Sequence, residues 1–138
     1  MTTMRIIYVA GPYRSDTIFG TKQNILRAEK TGVEVARLNH IPLIPHTLYQ
    51  FWDGLQDEQW FVDATMQLIL KCDVVLVIPD SGWQSSSGTK GEIKAAEEAG
   101  IPVFYSLLDL RSWLAAEKRK PKDTKSWYKK VWLKSTKG

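Results

Sequence analysis

Five consecutive apolar residues, Val74-Val75-Leu76-Val77-Ile78, stand between Asp73 and Pro79 and restrict this chain more than any other feature. The run is too short for a buried helix and rich in β-branched side chains, so it reads as a strand. With no polar position on either side, it needs both faces covered, the situation of strands in parallel α/β sheets. Pro79-Asp80-Ser81-Gly82 ends it with turn residues. A small polar loop follows, Ser85-Ser86-Ser87-Gly88-Thr89, and then a helix-like segment from Glu92 to Ala99, with Gly100 as the residue that ends it. In open α/β sheets a strand–loop–helix unit puts its loop at the carboxyl edge, where ligands bind. Free backbone N–H groups and hydroxyls there suit an anion such as a phosphate. Glu92 is expected in the first turn of the helix, aimed at the same crevice.

The remaining chain repeats that alternation. Arg5–Ala10 is an apolar, central strand ending in a second polar turn, Gly11-Pro12-Tyr13-Arg14-Ser15. Apolar residues from about Thr21 to Asn39 fall near helical spacing. Ile41–Pro45 is a short strand whose two prolines place it at an edge. The stretch His46–Gln59 reads as irregular and aromatic, and its length suggests a functional loop. A helix is expected from about Asp57 to Lys71, a strand over Ile101–Tyr105, and a closing helix from Leu107 to about Lys120. The fold predicted is a small α/β three-layer sandwich of Rossmann or flavodoxin-like type, its parallel sheet ordered 2-1-3-4. Residues 1–110 are expected to form the α/β domain, and residues 111–138 a C-terminal helix with a basic, aromatic tail.

Length and composition suit one soluble domain: 138 residues, 43% hydrophobic and 25% charged. No apolar run is long enough for a membrane span, and the N-terminal apolar stretch, too short for a signal peptide, is expected to enter a strand directly. The single cysteine, Cys72, excludes an internal disulfide and fits the cytoplasm. It adjoins the central strand, so burial is expected rather than reactivity. Two histidines, His40 and His46, without cysteine partners do not make a zinc site, and neither a metal nor a cofactor is expected. The net charge of +4 is uneven: residues 111–138 hold ten Lys/Arg against two acids, leaving the rest of the chain mildly acidic. Trp127, Tyr128 and Trp132 among those lysines admit nucleic-acid contact, though docking of a solvated helix is the commoner use.

The order of these pieces resembles the nucleoside 2-deoxyribosyltransferase-like family, which includes the deoxynucleoside 5′-monophosphate N-glycosidases. The matching residues are Ile7–Arg14 at the start, Lys71–Val75 at the third strand, Gly82–Glu92, and Ala99–Val103. The resemblance implies that Glu92 is the nucleophile at the anomeric carbon and that Tyr8 holds the family's tyrosine position. It implies that Ser86 stands where transferases carry an acid toward the sugar 5′-hydroxyl and the monophosphate glycosidases carry a serine. The loop Gly11–Arg14 matches one that lines the phosphate side. An aspartate usual in the family on the preceding helix, used in base or leaving-group chemistry, is Thr65 here. Asp63 lies about 200° around the helix from that position.

Breaking a nucleoside C–N bond passes through an oxocarbenium-like state, which a carboxylate stabilises or captures. Glu92 is the candidate nucleophile, against the plainer reading of a first-turn acid on the helix dipole. Asp63, or Asp80, is the candidate proton donor. Gly11, Tyr13, Arg14, Ser86 and Gly88 are candidate substrate contacts, against a flexible loop with a helix cap and a solvated arginine. Trp83, or else Trp52, is the candidate for stacking on a base. The function expected is cleavage or exchange of the N-glycosidic bond of a (deoxy)nucleoside or its 5′-monophosphate. Alternatives are a non-catalytic nucleotide sensor, a phosphoribohydrolase-like enzyme, and a nucleic-acid-associated protein working through its tail. A homodimer is expected from the resemblance, and no membrane partner.

Overall fold

The computed structural model describes residues 3–117. Strand β1 (Ile6–Ala10) leads to helix α1 (Ile18–Arg37) and strand β2 (Ile41–Leu43). A short helix α2 (Pro45–Leu48) and the longer α3 (Glu58–Ile69) precede strand β3 (Val74–Val77). Helix α4 (Ser87–Glu98), strand β4 (Val103–Phe104) and helix α5 (Leu107–Ala116) complete the body. The sheet is parallel in every pairing and ordered β2-β1-β3-β4, so the proline-containing strand does lie at an edge. The order reverses between β1 and β3, and the loops leaving these two strands flank the crevice where open α/β sheets take their ligands.

The two central strands divide their side chains by the period of two. Tyr8, Ala10, Val75 and Val77 face α3 and α4, packing with Ile69, Ile93 and Ala96. Ile7, Val74 and Leu76 face the other way, against Val35 of α1 and Leu110 of α5, and Val9 and Ile78 pack with Ala28. Cys72 is buried beside β3, its Sγ donates to the Leu68 carbonyl (3.3 Å), and burial raises its pKa to about 12, which leaves it an unreactive thiol.

Three element boundaries differ from the sequence reading, each for a local reason. Helix α1 starts at Ile18 because the Thr17 side chain accepts from the Gly20 N–H (2.9 Å) and caps it. Pro45 opens α2 inside the stretch read as irregular, its fixed φ suiting a first turn. Helix α4 begins at Ser87, well before Glu92, because Ser86 caps it: its Oγ accepts from the Thr89 N–H (3.2 Å). Gly88, Thr89 and Gly91 are poor helix formers and disguised that turn as loop. At the other end, Gly100 (φ 73°) and Ile101 close a Schellman motif onto the Glu97 and Ala96 carbonyls, as Gly100 foretold.

Helix α5 crosses the expected domain limit at residue 110, with Leu110, Trp113 and Leu114 packed on the sheet. The expected end of that helix near Lys120 and the basic tail with Trp127, Tyr128 and Trp132 lie outside the described residues. Among the described residues no helix is long and apolar enough to cross a membrane.

Candidate active site

A cavity of about 400 Å³ lies on the α3/α4 side of the crevice. Its size suits a small organic ligand. Tyr8, wholly buried on β1, and Glu92, on the second turn of α4, line its floor, and Gly11, Tyr13, Arg14, Ser87 and Gly88 line one wall. The opposite wall is one face of α3: Glu58, Phe61, Val62, Thr65 and Met66 fall at helical spacing along it. A second, more polar basin of about 470 Å³ adjoins it, sharing Tyr13, Arg14 and Ser87 and adding Asn24, Ser81, Ser85 and Ser86 around the amino end of α4. Tyr13, Arg14 and Ser87 thus stand between the apolar cavity and the polar basin.

The placement of Glu92 corrects the expectation of a first-turn acid. One full turn further into α4, it is too deep to serve the helix dipole, which falls off within the first turn. Its side chain turns inward. Among the described residues Oε2 is buried without a hydrogen-bond partner, and so is the Tyr8 hydroxyl. Burial raises the carboxyl to about 7, and the nearby Tyr8 phenol lowers it in part. Burial raises the Tyr8 phenol well above its ordinary value, reinforced by the Glu92 charge, so it stays neutral. Two unsatisfied buried polar atoms side by side cost stability. Both are available to a ligand.

His46, 3% exposed, completes the floor. Its Nε2 lies 2.9 Å from the Gly11 carbonyl and 3.1 Å from that of Pro12, and carbonyls only accept, so the proton sits on Nε2. Nδ1 is then a bare acceptor, buried and unpartnered. Burial lowers the imidazole, against the two backbone bonds that favour its charged form. Its place just after a strand is the one signal in the sequence that it could touch a ligand; which ring nitrogen carries the proton is not written there. Gly11 is fixed by contact: a Cβ there would lie 2.5 Å from Ile78 Cδ1. Asn24 Nδ2 donates to the Tyr13 carbonyl (3.0 Å) and Thr21 Oγ1 accepts from the Ser15 N–H (3.0 Å), so α1 holds this loop in place.

Ser86 spends its oxygen as a cap and as acceptor from Thr89 Oγ1 (2.9 Å), which leaves its own proton for a ligand in the polar basin. Ser81 Oγ, buried there, has no partner. A helix N-terminus, an exposed arginine and several hydroxyls make the basin suited to an anion.

Other expected contacts are not brought together. Asp63 is exposed, accepts from Gln59 Nε2 (2.8 Å), and does not line the cavity, because the helix places it away from Thr65. Asp80 is exposed in a left-handed turn (φ 55°) and borders neither cavity. Trp83 stacks at a tilt on Tyr105 (5.3 Å) and packs against the core. Trp52 leans on Tyr49 and Trp60. Neither tryptophan borders the cavity; the aromatic walls it does have are Tyr13, Tyr49 and Phe61. Thr65 faces the cavity, but its Oγ1 lies 2.9 Å from both the Phe61 and Val62 carbonyls, to which its proton is committed. Among the described residues no cluster of His, Cys, Asp and Glu is arranged to hold a metal.

A parallel α/β sheet with a carboxylate buried at the carboxyl edge of its switch point defines an α/β protein with a small-molecule crevice. Within that class the chain belongs to the family described as Domain of unknown function (DUF7768), whose model matches residues 5–106. Among solved structures it is similar to the 2-deoxyribosyltransferase of the psychrotolerant bacterium Bacillus psychrosaccharolyticus. The TM-score is 0.54 and the identity 18%, over 83% of this chain and 92% of that one. At that identity the likeness establishes the nucleoside deoxyribosyltransferase-like fold. No curated protein matches the sequence.

Proposed function

We propose that this protein cleaves or exchanges the N-glycosidic bond of a (deoxy)nucleoside 5′-monophosphate or nucleoside, with Glu92 as nucleophile. One observation carries the reading: a carboxyl with an unpartnered oxygen, beside an unpartnered phenol, on the floor of a cavity that opens onto an anion-suited basin. The fold neighbour, named as a nucleoside-making 2-deoxyribosyltransferase, supports the same chemistry. The base and sugar occupy the apolar cavity, and the phosphate lies against Arg14, Ser86 and the amino end of α4. Ionised Glu92 attacks the anomeric carbon as the C–N bond breaks. The bonding pair leaves on the base nitrogen, which takes a proton from solvent water, and the proton released by the attacking water or incoming base in the second step returns to solvent. Water, or the nitrogen of an incoming base, then displaces Glu92 from the glycosyl ester and restores the carboxylate. On ionising, Glu92 accepts from the Tyr8 hydroxyl, a bond that the ligand-free site does not make, and is oriented by it; Gly11, Tyr13 and Gly88 shape the wall. Asp63 takes no part. The experiment is a chromatographic screen of nucleosides and monophosphates for released base, followed by mass analysis with a 2′-fluoro substrate for an adduct on the Glu92 peptide.

A second reading, a nucleotide-binding protein without turnover, is favoured by Thr65, which holds no proton for a leaving base. Measurable monophosphate affinity with no base release anywhere in the screen would select it. A homodimer belongs to the leading reading, supported by exposed Phe51 (89%), Trp52 and Leu55 in the segment between α2 and α3, and light scattering on the eluting protein tests it.

A further inference from the structure

The wall formed by α3 carries a polarity that the glycosidic chemistry does not use. Met66 marks its inner end, since a Cβ added at Gly91, next to Glu92, would lie 3.6 Å from Met66 Cε. Thr65, Val62, Phe61 and Glu58 follow toward solvent on the same face. At 1.5 Å per residue, Glu58 stands about 12 Å further out than Met66. It is an exposed acid at the rim, joined there by Asp53. Between the floor and this rim the wall is apolar or has its hydroxyl committed, as at Thr65. Among the described residues the lining includes no Asn or Gln amide, and its arginine, Arg14, stands on the side shared with the polar basin. Tyr49, also on the lining, belongs to a ring cluster with Trp52, Trp60 and Phe61.

We propose that Glu58 reads the outer edge of the nucleobase and selects bases that present an amino group there, the 6-aminopurines and 4-aminopyrimidines, over their oxo counterparts. The inference rests on the nucleotide reading above. With the anomeric carbon at Glu92 and the phosphate in the polar basin, the base extends along α3, and its far edge meets the rim. A carboxylate only accepts hydrogen bonds. An exocyclic amino group donates to it, whereas an oxo group sets one acceptor against another. The buried, unpartnered Glu92 Oε2, Tyr8 hydroxyl and His46 Nδ1 at the inner end show that the cavity is built around a polar ligand.

The test is calorimetric binding to the full chain carrying Glu92→Ala to prevent turnover. The probes are two matched pairs, 2′-deoxyadenosine against 2′-deoxyinosine 5′-monophosphate and 2′-deoxycytidine against 2′-deoxyuridine 5′-monophosphate. The amino member of each pair should bind about tenfold tighter or more, as a charge-assisted hydrogen bond allows. Adding Glu58→Gln should bring each ratio within about threefold, since an amide serves both edges, while Asp53→Asn should leave it. Glu58 is exposed, so an unchanged melting temperature is expected to verify the fold. Binding of all four without preference, or a preference that survives Glu58→Gln, overturns the role of Glu58 and leaves the nucleotide reading standing. Binding of none of the four removes the nucleotide reading and this inference with it.

Discussion

Glu92 shows how one side chain trades stability for chemistry. Its carboxyl loses its proton near pH 4.5 in the unfolded chain but holds it to about 7 when folded. Between those values the folded state binds more protons, so stability falls as pH rises and the penalty is fully present above pH 7. Glu92→Gln should therefore match wild type in denaturant unfolding near pH 4 and exceed it by up to about 3 kcal/mol at pH 8. The same variant should lower base release by roughly 10³-fold, because the nucleophile and its charge are both lost. A rate profile for wild type should rise through pH 7 as the carboxyl ionises. Undiminished turnover in the variant would place the chemistry elsewhere. Ser86 offers a second test at this scale. Ser86→Asp keeps a competent cap, so α4 survives, yet it sets a charge against the phosphate. Affinity for a 5′-monophosphate should drop far more than for the matching nucleoside; equal losses would show that the basin does not read phosphate.

At the scale of the element, α4 is a helix assembled from unfavourable residues at its amino end. Gly88 has open space around it, the nearest atom to an added Cβ being Ser86 Oγ at 4.0 Å. Gly88→Ala should raise stability by about 0.5–1 kcal/mol through helix propensity. The methyl group would enter the cavity wall, so substrate affinity should fall while the melting temperature rises. A rise in both would show that the glycine serves nothing in the crevice. Gly11→Ala is the opposite case. Its methyl group collides with fully packed Ile78, and a loss of about 1–3 kcal/mol is expected from thermal or denaturant unfolding. Helix α3 was legible as a helix from its apolar spacing, and Asp57 caps it as its Asp-x-x start suggests. Which of its faces meets the ligand was not legible, because both carry aromatic and acidic residues. Thr65 and Glu58 ended on the cavity face and Asp63 on the other.

Over the whole molecule, charge is divided between a body and a tail. Residues 1–117 hold ten Lys/Arg against fourteen acids, and residues 118–138 hold nine against one. Removing residues 118–138 should leave base release within a few-fold and abolish any salt-sensitive affinity for nucleic acid, measured by anisotropy across a salt series. Loss of turnover on truncation would tie the tail to the crevice. What the sequence by itself determined is the architecture: the uniformly apolar β1 and β3, the turns after them and the prolines of β2 required a parallel sheet with β1 and β3 inside. Those signals are local, because strand burial and turn chemistry are written in neighbouring residues. The site was decided only by the tertiary structure. Whether Ser86 begins a helix, whether Glu92 turns inward, and whether His46 gives its proton to the Gly11 and Pro12 carbonyls depend on contacts between segments far apart in the chain. Burial then sets the chemistry of these groups. A carboxyl buried without a partner is raised by the loss of water, and no spacing of residues along a sequence records where water is excluded.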